Sequence, residues 1–288
     1  HADLRIRLPR PVLRAELAAG LALLLLLGGP AGAQSDAPRI GQVSRDSVWV
    51  PTPERVIRRM LQMADTSSRD LVIDLGSGDG RIPIHAAKHF GARAVGVELE
   101  AHLVRLSRET AAAQGVAHLA TFVQQDLFEA DLSQAGVIAL YISPDVMTRL
   151  KPRLLALKPG TRVVSHQFLL DDWAPDEMIR VEDRSAYLWV VPAAMQGTWA
   201  VELAGASFTL RVGQRYQALE TSGLREGKPI PVISARLRGT EIRFTALDRD
   251  GDVRHFTGRV EDGRMWGDSR GENIAPLPWR AQFIRVAP

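Results

Sequence analysis

The residues in this sequence best suited to chemistry form a glycine-rich turn behind an acidic side chain. Asp74 follows an apolar run that is typical of a strand. The glycines that come after it, at alternate positions, are Gly76, Gly78 and Gly80. Glycine lets the backbone approach a ligand without interference from a Cβ atom. A dinucleotide fingerprint, G-x-G-x-x-G, needs glycine where Arg81 stands, so the spacing indicates a different nucleotide-type ligand.

Two further acidic residues follow the next two predicted strands. Glu98 ends the second strand, where a carboxylate can accept two hydrogen bonds from the hydroxyls of a ribose. Asp126 follows the third strand, where its side chain can accept from an adenine amino group while Leu127 and Phe128 line the ring. Ligands of open α/β sheets bind at the carboxyl ends of the strands. The three acids and the glycine turn therefore predict an adenosyl-binding site.

The elements that must position these residues alternate between strands and helices. Strands are predicted at 71–74, 94–98, 120–124, 137–142, 162–165, 178–182 and 187–191. Helices are predicted at 82–90, 101–114 and 145–157, and an earlier one begins at Thr52, Pro53 and Glu54 with a capping hydroxyl, a proline and an acid. The short connection between the last two strands makes them antiparallel neighbours. This order predicts an α/β fold with a doubly wound, Rossmann-like, seven-stranded sheet.

After Pro192 the sequence changes to short alternating runs that are separated by turns. Strands are predicted at 198–203, 207–212, 216–220, 230–235, 242–247, 254–260, 264–266 and 279–286. The pairs Asp250-Gly251 and Asp262-Gly263 predict hairpin turns. We therefore expect three parts: an N-terminal segment at 1–33, a ligand-binding α/β domain at 34–194, and a small antiparallel β domain at 195–288.

The segment 1–33 has the order of a secretory signal. Arginines at 5, 7, 10 and 14 precede the apolar run Leu17–Leu27, and the small residues Ala31-Gly32-Ala33 follow. The run is too short for a comfortable membrane span, which needs about 20 residues. Cleavage after Ala33 would give a periplasmic or secreted protein, whereas an uncleaved segment would anchor it at a membrane.

The composition of the sequence argues against several classes of function. The sequence has no cysteine, which excludes disulfides, thiolate metal sites and a cysteine nucleophile. No basic run or basic-aromatic stripe indicates nucleic acid as a partner. No metal site is expected either, because His85 and His89 have helical ligand spacing but no apparent third ligand. The segment Asp248–Asp252 resembles a calcium loop, yet Arg259 stands where the bidentate glutamate is required.

Residues 46–192 resemble the class I, seven-β-strand S-adenosylmethionine-dependent methyltransferases. The stretches that carry the resemblance are Val50–Pro53, Asp74–Arg81, Phe168 and Trp173-Ala174-Pro175. They are most similar to the lysine methyltransferases of the mitochondrial adenine-nucleotide translocase and ATP-synthase c-subunit. The resemblance implies S-adenosylmethionine as cofactor and methyl transfer to a protein lysine. After Ser165, however, an arginine-phenylalanine-proline run of the eukaryotic proteins is replaced by His166-Gln167-Phe168.

The expected site has a cofactor part and an acceptor part. The predicted cofactor residues are Asp74, Gly76, Ser77, Gly78, Asp79, Gly80, Glu98, Asp126, Leu127 and Tyr141. On the acceptor side Tyr141 could bound the channel, Asp145 could hold a cation or cap a helix, and His166 could be a general base or a structural histidine. Pro51 and Thr52 could close over the cofactor or cap the first helix.

Two other functions fit the same residues. The acceptor could be a small amine or hydroxyl compound instead of a protein. Alternatively, the chain could be a non-enzymatic nucleoside-binding protein that is exported to the envelope.

Overall fold

The first sheet is built around β1 (Leu71–Leu75), in which all but the first residue are buried. The computed structural model describes residues 50–272 and 274–284. The other strands of this sheet are β2 (Arg93–Glu98), β3 (Ala120–Gln124), β4 (Val137–Leu140), β5 (Arg162–His166), β6 (Glu177–Val181) and β7 (Arg184–Val190). Continuous apolar runs suit strands that are covered by helices on both faces.

The seven strands lie in the order β3-β2-β1-β4-β5-β7-β6. The first five are parallel, and β7 inserts antiparallel between β5 and β6. The strand order reverses between β1 and β4, which opens a crevice at the carboxyl ends of these strands. The predicted doubly wound sheet and its antiparallel pair are confirmed.

Four helices among the described residues cover the two faces: α1 (Glu54–Met63), α2 (Arg81–Phe90), α3 (Ala101–Ala113) and α4 (Pro144–Leu155). Buried residues of α1 and α2 share a core with Val72, whereas buried residues of α4 share one with the neighbouring Ile73. Alternate residues of β1 therefore point to opposite layers. None of the helices between residues 50 and 284 is long and apolar enough to cross a bilayer.

The second sheet contains nine antiparallel strands, ordered β11-β10-β9-β8-β16-β15-β14-β13-β12. They are β8 (Gly197–Leu203), β9 (Ala206–Arg215), β10 (Ala218–Arg225), β11 (Lys228–Ile230), β12 (Val232–Arg238), β13 (Glu241–Leu247), β14 (Val253–Glu261), β15 (Arg264–Gly271) and β16 (Ile274–Ile284). The Thr221 hydroxyl of β10 donates to the Val232 carbonyl of β12 at 3.4 Å, so the sheet curls into a near-barrel.

The sequence predicted eight strands here, and nine are present because one predicted strand is divided in two. The predicted strand at 230–235 is divided into β11 and β12, and β12 itself bulges at Ser234, where φ is 56°. Similarly β10 begins at Ala218, later than predicted, because Tyr216 lies in the hairpin turn with φ of 55°. Both predicted glycine turns are confirmed, whereas residues 285–286 of the predicted last strand and the segment 1–33 lie outside the described residues.

The β9–β10 hairpin tip contacts the loop that follows β5. The Trp173 indole donates to the Gln217 side chain at 2.9 Å, and the Gln217 amide donates to the Ala174 carbonyl at 2.7 Å. Tyr216 stacks on Trp173 with ring centroids 5.9 Å apart, and its hydroxyl donates to Asp172 at 2.8 Å. The near-barrel thus supports the loop that carries Phe168.

Candidate functional site

The glycine turn between β1 and α2 has the backbone that its sequence requires. Gly76, Gly78 and Gly80 all have positive φ, at 79°, 55° and 79°. The amides of Gly76 and Ser77 donate to the Val97 carbonyl at 2.9 and 3.0 Å, which fixes the turn on β2. A Cβ on Gly80 would lie 2.7 Å from Phe122 and from Ser107, closer than side chains can pack. Positive φ and lack of space together require glycine at 80.

We expect Gly80→Ala to destabilise the protein by about 2–4 kcal/mol, since left-handed strain and a steric clash add. The melting temperature should fall by about 5 °C or more. Gly115 offers a matched control, because its φ is 72° but a Cβ there would meet no atom within 4 Å. Gly115→Ala should therefore lose only the stability that corresponds to the backbone strain. Equal losses in the two melting curves would contradict the packing argument.

Glu98, at the end of β2, faces the glycine turn. One carboxylate oxygen accepts from the Gly78 amide at 2.8 Å, and the other accepts from the Glu100 amide at 3.0 Å. These bonds fix the orientation of the carboxylate, and each oxygen keeps a free lone pair. The side chain is therefore held ready to accept two hydroxyl donors, as predicted for a ribose.

Asp74 is a buried carboxyl group without a hydrogen bond to any described residue, and only 2% of its surface is exposed. Burial raises its pKa well above the usual value, and the charges of Glu98 and Asp79 raise it further. Asp79 itself is paired with Arg81, whose guanidinium donates to its carboxylate at 2.6 and 2.9 Å. A cationic ligand group beside Asp74 would relieve this unfavourable charge.

Asp126 and Leu127 follow β3 at the neighbouring strand end. Asp126 is exposed, and its carboxylate accepts from the Phe128 amide at 2.8 Å. Leu127 is half-buried against the core that contains Ile142. The structure thus joins the glycine turn and Glu98 by direct hydrogen bonds, whereas Asp126 makes no hydrogen bond to either of them.

The acceptor side contains a cluster of three rings. Tyr141, after β4, lies against His166 at the end of β5, with ring centroids 4.1 Å apart. Phe168 stacks on Tyr141, with ring centroids 6.1 Å apart and an angle of 18° between the ring planes. Tyr141 and Phe168 are half-buried, so the cluster lines the crevice beside the switch between β1 and β4.

His166 is fully buried and hydrogen-bonds through Nδ1 to the Thr52 hydroxyl at 3.1 Å, while Nε2 has no partner among the described residues. Burial, followed by the nearby Arg184, lowers the pKa of His166 to about 4. The capping role considered for Thr52 is wrong: Pro53 occupies the cap position of α1, and no side chain caps it. Thr52 instead joins β5 to the start of α2, since its hydroxyl contacts His166 and Arg81 donates to its carbonyl at 3.1 Å, and the adjacent Pro51 is half-buried.

Asp145 lies in the first turn of α4, exposed and without a hydrogen bond to any described residue. Ser143 holds the cap position of this helix, so Asp145 is not its cap, although its charge suits the helix dipole. Ser107 was not predicted as a site residue, yet its buried hydroxyl donates to the Gly78 carbonyl at 3.2 Å. A serine on the apolar face of α3 was the available signal.

Comparison with known proteins agrees with this geometry. The profile described as "ANTKMT methyltransferase domain" matches residues 74–177. A protein-lysine N-methyltransferase of Saccharolobus islandicus (strain REY15A) is 46% identical over 149 residues, which cover 50% of this chain and 92% of that protein. The chain belongs to the ANTKMT methyltransferase family. The adenine nucleotide translocase lysine N-methyltransferase of Mus musculus is 39% identical over 106 residues, or 36% of this chain and 46% of the relative.

The identity of the cofactor follows from the crystal structure of a relative. An RNA methyltransferase from Salinibacter ruber, whose crystal structure contains S-adenosyl-L-homocysteine, is 49% identical in sequence to this methyltransferase. The similarity covers 51% of this chain and 96% of that one, with a TM-score of 0.50. S-adenosylmethionine is the cofactor of this methyltransferase, as predicted. The unpaired Asp74 and the oriented carboxylate of Glu98 fit that group.

Proposed function

We propose that this methyltransferase modifies the ε-amino group of a lysine in a protein substrate. The observation that carries this proposal is the 46% identity to a protein-lysine N-methyltransferase, of which 92% is covered. The ring cluster of Tyr141, His166 and Phe168 supports it, because aromatic faces attract an ammonium group and pack against an aliphatic stem. A lysine side chain has both parts.

The bound cofactor supplies a methyl group on a positively charged sulfonium, and the chain must supply position and a deprotonated amine. A free lysine with a pKa of about 10.4 is almost fully protonated at neutral pH. Entry between half-buried aromatic rings removes water from the ammonium and lowers its pKa. We expect Tyr141 to orient the amine, a role that is supported by its contact with His166, whose ring is hydrogen-bonded to Thr52.

The pH dependence of the rate should follow the acceptor amine and not His166. With a pKa of about 4, His166 is neutral throughout the range from pH 5 to pH 9. The value of kcat/KM should therefore rise with pH, about tenfold per unit while the amine remains protonated, without a step near pH 6.5. A step near pH 6.5 that disappears in His166→Gln would contradict the lowered pKa.

The near-barrel should influence binding of the protein acceptor through Tyr216. Tyr216→Ala removes the stack on Trp173 and the hydrogen bond to Asp172, which loosens the loop that carries Phe168. We expect KM for the protein acceptor to rise about 3- to 10-fold, less than the full value of one aromatic contact and one hydrogen bond, because the loop is loosened and not removed. The Kd for S-adenosylhomocysteine should not change, and Tyr216→Phe should show a smaller rise. A change in cofactor Kd alone would contradict this account.

We also propose that the methyltransferase works at the cell envelope, exported or anchored through the segment 1–33. The arginines before the apolar run of that segment support this proposal. Fractionation of cells that express the full chain, with N-terminal sequencing of the product, tests it. A cytoplasmic product that retains the segment would contradict it.

RNA is the second candidate acceptor, because the 49% identical protein from Salinibacter ruber is described as an RNA methyltransferase. Purified enzyme and labelled S-adenosylmethionine should be incubated with a cell extract, which is then divided between protease and ribonuclease. We expect label that protease removes, that appears as methyl-lysine after hydrolysis, and that is strongly reduced with Asp74→Asn when S-adenosylmethionine is below its Kd for that variant. Label that only ribonuclease removes would favour RNA, and label in small molecules would contradict both acceptors.

A further inference from the structure

Three potential metal ligands meet where α1 packs against α2, away from the aromatic cluster. Their nitrogen and oxygen ligand atoms all lie within 4.8 Å of one another, and the residues are Glu54, His85 and His89. Glu54 Oε1 is 3.6 Å from His85 Nδ1, and the two imidazole rings have centroids 4.3 Å apart. The histidines stand four residues apart on α2, so both project from the same face of the helix.

His85 is the least explained residue of the three. Only 5% of it is exposed, and its Nε2 is buried without a hydrogen-bond partner among the described residues. Such a buried polar group without a partner is unfavourable, and buried polar groups normally have one. Its Nδ1 points toward the Glu54 carboxylate from just beyond hydrogen-bonding distance. An ion between these two side chains and His89 would be coordinated by Nδ1 of His85, the nitrogen that faces Glu54.

We propose that Glu54, His85 and His89 bind one divalent transition-metal ion, with Zn²⁺ as the best match. Imidazole nitrogens favour zinc, copper or nickel over magnesium or calcium, and one carboxylate with two histidines is a known zinc ligand set. In a tetrahedral zinc site with bonds near 2.0–2.1 Å, ligand atoms lie about 3.3 Å apart. The 3.6 Å contact is already close to this separation.

The two remaining ligands can complete the site without moving the fold. Glu54 and His89 are exposed side chains, and they can rotate toward the fixed imidazole of His85. The open side of the site faces solvent, so water can be the fourth ligand. The positive charges of Arg58 and Lys88 lower the pKa of His85, and they would also repel a bound divalent cation. Affinity should therefore be lower than in closed four-ligand zinc sites.

The ion would join the first turn of α1 to the middle of α2. Thr52, two residues before Glu54, contacts His166, and Arg81 at the start of α2 contacts the Thr52 carbonyl. Metal binding would therefore fix the segment that links the acceptor side to the glycine turn. The sequence predicted no metal site because the third ligand comes from a different helix.

The test uses the full chain without a polyhistidine tag, stripped with chelator and titrated with ZnCl₂ in a calorimeter. We expect one Zn²⁺ per chain and a rise in melting temperature of about 5 °C at 100-fold excess over Kd. His89→Ala and Glu54→Gln change exposed residues, so both variants should fold, and each should weaken Zn²⁺ binding at least 10-fold.

His102→Ala is the matched control, because His102 is also a helical histidine near a glutamate, with Nδ1 3.9 Å from Glu100, but lacks a third ligand within the described part of the chain. This variant should bind Zn²⁺ as the wild type does. X-ray absorption of the loaded protein should show two imidazoles in the zinc shell. Absence of stoichiometric binding, or equal affinity in His89→Ala and wild type, would overturn the proposal whatever the methyl acceptor is.

Discussion

Asp74→Asn should lose cofactor affinity and at the same time give a more stable free protein. The Kd for S-adenosylmethionine should rise about 10- to 100-fold, the effect of losing a charged hydrogen-bond acceptor. The melting temperature without cofactor should rise by about 2 °C or more. Both effects have one cause, which is a buried carboxyl group that has no partner until a cation binds.

The sign of the stability change follows from the raised pKa. Because the pKa of Asp74 is higher in the folded chain than in the unfolded chain, the folded state binds more protons between the two values. Folding stability contributed by this group is therefore lost as the pH rises through that interval. Asparagine has almost the same shape and no charge, so it removes this loss at neutral pH.

Calorimetric titration and melting curves at pH 7.5 and pH 5 measure both effects. Asp131→Asn makes the same change of charge at an exposed position that accepts a backbone hydrogen bond from Ser133. That variant should keep cofactor affinity and gain no stability. A destabilised Asp74→Asn that still binds the cofactor would show that the carboxylate serves the fold and not the ligand.

Glu98→Ala should have the second large effect, with cofactor affinity reduced about 100-fold or more. The carboxylate is predicted to accept two ribose hydroxyls, and hydrogen bonds to a charged group contribute about 1.5–3 kcal/mol each. The substitution also frees the amides of Gly78 and Glu100, which loosens the turn. Glu98→Gln retains one acceptor oxygen, so its loss should be intermediate.

Titration with two related ligands separates the loss of the ribose hydrogen bonds from the loosening of the turn. Titration with S-adenosylhomocysteine and with its 2′-deoxy analogue should show a large difference for the wild type and a much smaller one for Glu98→Ala. An equal difference in both proteins would contradict a ribose contact at Glu98. Unchanged cofactor affinity in Glu98→Ala would remove this residue from the site.

The sheet and the cofactor half of the site could be predicted from the sequence because their signals are local. The apolar run before Asp74 and the glycines after it specify a strand, a turn and a helix within a short stretch. Parallel strands place their carboxyl ends at one edge, so the end of β2 had to bring Glu98 to the turn. The relation to methyltransferases rested on the same residues.

The contacts that the sequence did not predict join distant segments. Thr52 has the pattern of a helix cap, but its hydroxyl bonds to His166, and only tertiary packing brings β5 beside the start of α1. The metal ligands have the same origin, since His85 and His89 predict a pair while Glu54 arrives from another helix. The bulge at Ser234 depends on pairing with β13, so the local alternation could not indicate it.

A crystal structure of the full chain with S-adenosylhomocysteine would show directly which residues hold the cofactor. We expect the ribose hydroxyls within hydrogen-bonding distance of Glu98, the amino-acid end beside Asp74, and the adenine amino group at Asp126. The sulfur should face the cluster of Tyr141, His166 and Phe168. A nucleoside bound elsewhere, or one whose ribose does not contact Glu98, would contradict the account.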